Sequence, residues 1–182
     1  MRVGDPGDDS PITGFFRIGD ERLFILKAAG VYEIVMADQI DPERQNIDIP
    51  NVQQRVLRLG TDDPIIGKTI QLAEVLLRPD MLSIGVAVLD AKTLCLEAAK
   101  HLGAMRSAGD LVASAEKAGL AALATAKAEN RALAIPSVPG LRTTVTGFIQ
   151  SADHCLQQLL SLVEIFYGAA ARKAWFESFA QL

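Results

Sequence analysis

Two stretches of this chain repeat apolar side chains every 3.5 residues, and that period limits the fold more than any other feature. Ile84, Val88, Ala91, Cys95, Ala98, Leu102 and Met105 step 4-3-4-3-4-3. Val145, Ile149, Ala152, Leu156, Leu159, Val163, Phe166 and Ala170 step 4-3-4-3-4-3-4. A repeat sustained this long makes helices that pack side by side at shallow angles. Between the two seams, Asp110 to Ala134 is rich in alanine and has good intrinsic helix propensity, with Gly109-Asp110 as its break and cap.

The rest of the chain is read around these rods. Asp62-Asp63-Pro64 is a helix start: Asp63 can accept from free backbone N–H groups, and Pro64 suits the first helical position. Ile66, Ile70, Ala73 and Leu77 then step 4-3-4 up to Pro79. Phe24, Ala28, Val31 and Val35 show the same spacing. A strand pair competes there, because Val, Ile, Tyr and Phe are frequent; the unbroken run and the lack of a turn signal near Gly30 favour helix. The spacing therefore predicts main helices near 64–78, 81–106, 110–134 and 142–169, a fifth near 20–38, and a short one over Asn51–Leu59. Short connections make successive helices antiparallel neighbours. The expected fold is all-α: a four- to five-helix up-down bundle with an N-terminal helical extension. Residues 1–13 read as a flexible tail and 14–182 as one domain.

Composition narrows the function classes. The 182 residues carry 18 Lys plus Arg against 22 Asp plus Glu, a net charge of −4, which argues against a dedicated nucleic-acid binder. Gln53, Gln54, Arg55 and Arg58 are types that contact bases and phosphates, but the first 91 residues hold 15 acids and nine basic residues. No segment has the apolar length of a membrane span, and the N-terminus lacks the apolar core of a secretory signal. The expectation is a soluble, cytoplasmic protein. Two cysteines, Cys95 and Cys155, exclude a disulfide scaffold and a cysteine-only zinc site.

Motifs for chemistry are scarce. Gly60 to Thr69 resembles a phosphate loop only superficially, since its spacing puts Asp62 where the first glycine belongs. Di-iron bundles use Glu-x-x-His; here Glu97 lies four residues before His101, and position 151, three before His154, is Ser. Cys95 sits on a seam and Cys155 beside one, where a thiol behaves as a small hydrophobe; a pairing of His101 with Cys155 across two helices is the one nucleophile arrangement the spacing permits. No catalytic residue, cofactor or metal is expected, and the balance leans away from an enzyme.

Two groups of residues remain as candidates. The C-terminal Trp175, Phe176 and Phe179 form an aromatic cluster with Trp175 and Phe179 on one helical face, and Phe15 and Phe16 follow the polar N-terminus. Aromatic residues dominate interface hot spots, so these five are candidate partner contacts. Tyr32, His101, His154 and Tyr167 are the few polar groups able to orient a ligand between helices. Small residues at Ala115, Ala118, Gly119 and Ala122 allow close backbone approach, within one bundle or between two chains. The expected function is a non-enzymatic module for self-association or protein-partner binding. The alternative is a regulatory bundle that holds a small molecule in a cavity between helices.

Overall fold

The computed structural model describes residues 9–46, 48–80, 82, 85–129 and 140–168. It corrects the all-α expectation. The first third of the chain is a four-stranded antiparallel sheet, and the N-terminal helical extension does not exist. The strands are β1 (Ile12–Ile18), β2 (Arg22–Lys27), β3 (Val31–Val35) and β4 (Val52–Leu57), paired in chain order. A single turn, α1 (Ala37–Ile40), separates β3 from β4. Then follow α2 (Ile66–Leu76), α3 (Val88–Ala128) and α4 (Leu141–Tyr167). The molecule is a sheet with one short helix packed on it and two long helices leading away, not an up-down bundle.

The error over 20–38 has a physical origin. Phe24, Leu26 and Val31 point into the core, while Ile25 and Tyr32 point to the opposite face and are also buried. A segment apolar on both faces shows no alternation, and a dense apolar run satisfies a helical template by accident. The chain reverses over Lys27–Gly30 without a strong turn dipeptide, closed by Lys27 N–H donating to Gly30 O. Gly30 fits because an added Cβ would lie 3.1 Å from Leu57 O. Asn51–Leu59, read as a short helix, mostly supplies β4: Gln53 and Gln54 pair with Ile34 and Glu33. Arg55 is spent on structure, donating to the carbonyls of Ala29, Leu57 and Arg58.

The predicted break at Gly109-Asp110 is also absent. One helix of 41 residues runs through it, replacing the two expected at 81–106 and 110–134. An interior glycine costs about 0.5–1 kcal/mol but keeps its N–H and C=O, so it weakens a helix without ending it. The core explains why α3 starts where it does. Phe16, Ile18, Phe24, Leu26, Val31 and Leu57 of the sheet meet Ile66, Ile70 and Ala73 of α2 and Ala91, Cys95, Leu96 and Ala99 of α3. Every fully buried residue of α3 lies between Ala91 and Gly103.

Two close approaches fix α2. Asp63 Oδ1 accepts from Ile65 and Ile66 N–H at 3.0 and 2.8 Å, as the helix-start reading requires. Gly67 stacks on the strap before α2: a Cβ there would lie 2.4 Å from Gly60 O and Thr61 Cα. Gly60 in turn would meet Lys27 O at 2.1 Å. The two glycines of the phosphate-loop look-alike are therefore packing positions. Glu74 ties three elements together. Its Oε2 accepts from Lys92 Nζ on α3 at 2.7 Å and from Arg17 N–H on β1 at 3.2 Å.

Candidate functional site

α3 and α4 run antiparallel, and their register is set by named contacts. Cys155 Sγ lies 3.8 Å from Ala98 O, and the His101 and His154 rings meet edge to face at 5.1 Å. The line of α4 nearest α3 is Thr144, Gly147, Ser151, Cys155, Gln158, Leu162 and Ile165, half-buried except for the buried Cys155. Its N-terminal half is small and polar. The apolar seam read from sequence is a different line. At 100° per residue it lies about a third of a turn away from that line. Along it, Ile149 is 60% exposed, Leu156 52% and Val145 43%. Five of the seven described residues of this stripe are exposed, and Ala152 and Val163 are half-buried.

That stripe borders a groove. Two adjoining cavities, of about 380 and 290 Å³, share Gly109 and Phe148. The larger is walled by Ile65 and Ile66 at the start of α2 and by Leu102 and Met105 of α3. The smaller runs along Val112 and Ala113 to Thr144 and Val145. Gly109 leaves the wall open, since nothing stands within 4 Å of where its Cβ would be. The groove is apolar with charged ends: Asp63, Arg106 and Asp110 at one, Glu116 at the other.

Asp63, just before α2, forms an ion pair with Arg106 of α3 at this rim. Burial alone would raise the Asp63 carboxyl. The N–H groups of Ile66 and Ile65 and the Arg106 guanidinium outweigh it and hold the group below the usual carboxylate range. It is a fixed anion with its lone pairs already engaged, which suits an anchor better than a proton carrier. Burial pushes both thiols, Cys95 and Cys155, up from their ordinary value. They remain thiols at neutral pH, the wrong form for a nucleophile or metal ligand.

The residues expected from sequence are scattered. Phe16 is fully buried against Phe24, with ring centroids 5.9 Å apart, whereas its neighbour Phe15 is exposed. Tyr32 is fully buried, with Lys27 Nζ 5.0 Å and Arg55 Cζ 5.8 Å from its ring centre. Tyr167 ends α4 in solvent. His101 and His154 come together, but none of these four ligand-orienting candidates lines the groove. Trp175, Phe176 and Phe179 lie outside the described residues. Sequence reading missed Met105, Arg106 and Phe148 as wall residues and took Gly109 for a break. Only long-range packing gives them a common surface. Among the described residues no three His, Cys, Asp or Glu side chains converge to hold a metal, and no helix is long and apolar enough to cross a membrane. No family model, curated protein or solved structure matches the chain.

Proposed function

We propose that the protein is a non-enzymatic interaction module that self-associates through the outer stripe of α4 and the adjoining groove. The observation that carries this reading is the exposure of Val145, Ile149, Leu156 and Leu159 along one stripe of α4, a helix in which Cys155 and Leu160 are the buried residues. A 3.5-residue apolar repeat is the pattern one helix offers to another. Here α3 does not take it up.

A second copy suits the stripe. Run antiparallel, the seven positions from Val145 to Phe166 match their own reversal: Val145 beside Phe166, Ile149 beside Val163, Ala152 beside Leu159, and Leu156 beside itself. A surface that matches itself about a two-fold axis is what a symmetric dimer needs. Asp153 is the only carboxylate between Val145 and Val163, so little charge would be desolvated. The exposed parts of Leu141, Val145, Phe148, Ile149, Leu156 and Leu159 come to roughly 500 Å² per chain. Two copies would then bury on the order of 1,000 Å², the floor for a specific interface.

Sedimentation or light scattering at micromolar concentration tests this. The wild type is expected to be a dimer. Ile149→Glu with Leu156→Glu is expected to be a folded monomer by circular dichroism. A monomeric wild type ends the proposal. The cavity of about 380 Å³ at Phe148 supports a second reading, a small apolar ligand bound beside Asp63 and Arg106. An apolar fluorescent probe that binds wild type and is lost in Gly109→Leu, with the dimer unchanged, would favour it.

A further inference from the structure

α4 carries a second row of large apolar side chains beside its outer stripe. Leu141, Phe148, Leu159 and Phe166 step 7-11-7, which at 100° per residue keeps all four within about 20° of one another. Each is between 37% and 42% exposed. The row lies between the outer stripe and the line nearest α3, and its Phe148 is a wall shared by the two cavities. Packing within the chain covers this row only in part.

We infer that Phe166 of a second copy seats in the groove, between Leu141 and Phe148, and closes it. The inference rests on the self-association read from the outer stripe and names what fills the groove. In the antiparallel register of the stripes, Val145 stands beside Phe166 of the second copy. The two-fold axis of such a pair is perpendicular to both helices, so the Leu–Phe rows of the two copies lie on the same face of the pair. Val145 is four positions past Leu141 and three before Phe148. The incoming Phe166 therefore meets the gap in the row, as a knob meets a hole.

The smaller cavity lies at that gap, walled by Val112, Ala113, Val145 and Phe148 among others. Its volume of about 290 Å³ has room for a phenyl ring, since an apolar cavity of about 150 Å³ already holds benzene. The ring brings no polar atom to desolvate, and Phe148 offers it an aromatic neighbour. Symmetry makes two such seats per dimer. Covering Phe166 adds about 70 Å² per copy. The groove wall beneath it is buried as well, which lifts the interface above the floor of about 1,000 Å².

The test is a double-mutant cycle on the dimer dissociation constant, measured by sedimentation, with circular dichroism to check the fold of each variant. Phe166→Ala is expected to raise the constant at least about 30-fold, because two anchors are lost and each is worth at least about fivefold. Gly109→Leu, placed where α3 leaves open space, fills the groove and is expected to weaken the wild-type dimer. In the Phe166→Ala background the same leucine is expected to have no further effect, because the ring it would displace is gone. A wild-type dimer that Phe166→Ala or Gly109→Leu leaves unchanged, or additive effects of the two, overturns this inference and leaves the stripe reading standing. A monomeric wild type overturns both. If Phe166→Ala fails to fold, Gly109→Leu decides alone: a weakened dimer supports the seat, and an unchanged one overturns it.

Discussion

Asp63 shows how one side chain can be read from sequence and still be half understood. Its place before Pro64 marks a helix start, and it does accept from Ile65 and Ile66. Its second partner, Arg106, lies 43 positions away and carries no local signal. Together they depress the carboxyl below its unfolded value, so the stabilisation is present at neutral pH and lost as pH falls through the folded value. Urea midpoints should therefore drop below about pH 4, the ordinary carboxylate range, and Asp63→Asn should flatten that part of the profile. At pH 7, Asp63→Ala should cost about 1–2 kcal/mol, the usual range for a lost helix cap. The buried thiols lend themselves to a simpler check. Cys95 and Cys155 should react with a thiol reagent far more slowly in the native protein than in denaturant.

Among the elements, α2 and α4 were legible, while the continuity of α3 and the whole sheet were not. α2 and α4 appear near their predicted places because their apolar faces are separated from polar ones. β2 and β3 bury both faces, so Phe24 and Ile25 point oppositely yet look alike in sequence. α4 adds a subtler lesson: its seam was found, but which neighbour it faces depends on surfaces contributed by α3. Gly109 and Gly67 separate the two meanings of a helical glycine. Gly109→Ala should stabilise α3 by about 0.5–1 kcal/mol, because the site is open and the backbone helical. Gly67→Ala should destabilise by about 2–3 kcal/mol, because its Cβ would enter the backbone of Gly60 and Thr61. Chemical denaturation of both variants tests the contrast.

For the molecule as a whole, self-association makes stability depend on concentration. A protein that buries the α4 stripe only as a dimer should melt at rising temperature as it is concentrated, and Ile149→Glu with Leu156→Glu should abolish the dependence. Differential scanning calorimetry over a hundredfold dilution series would show it. The groove was less legible than α2 and α4, since its walls come from three helices and span Asp63 to Phe148 in the sequence.

The length of α3 carries one more consequence. It extends about 60 Å, yet its fully buried residues end at Gly103, little more than a third of the way along. Such a rod is a lever with its fulcrum in the sheet. Beyond Gly103 the rod runs about 38 Å, so a tilt of about 5° there sweeps the far end by roughly 3 Å, and small adjustments around Ala91 to Gly103 are amplified at the tip.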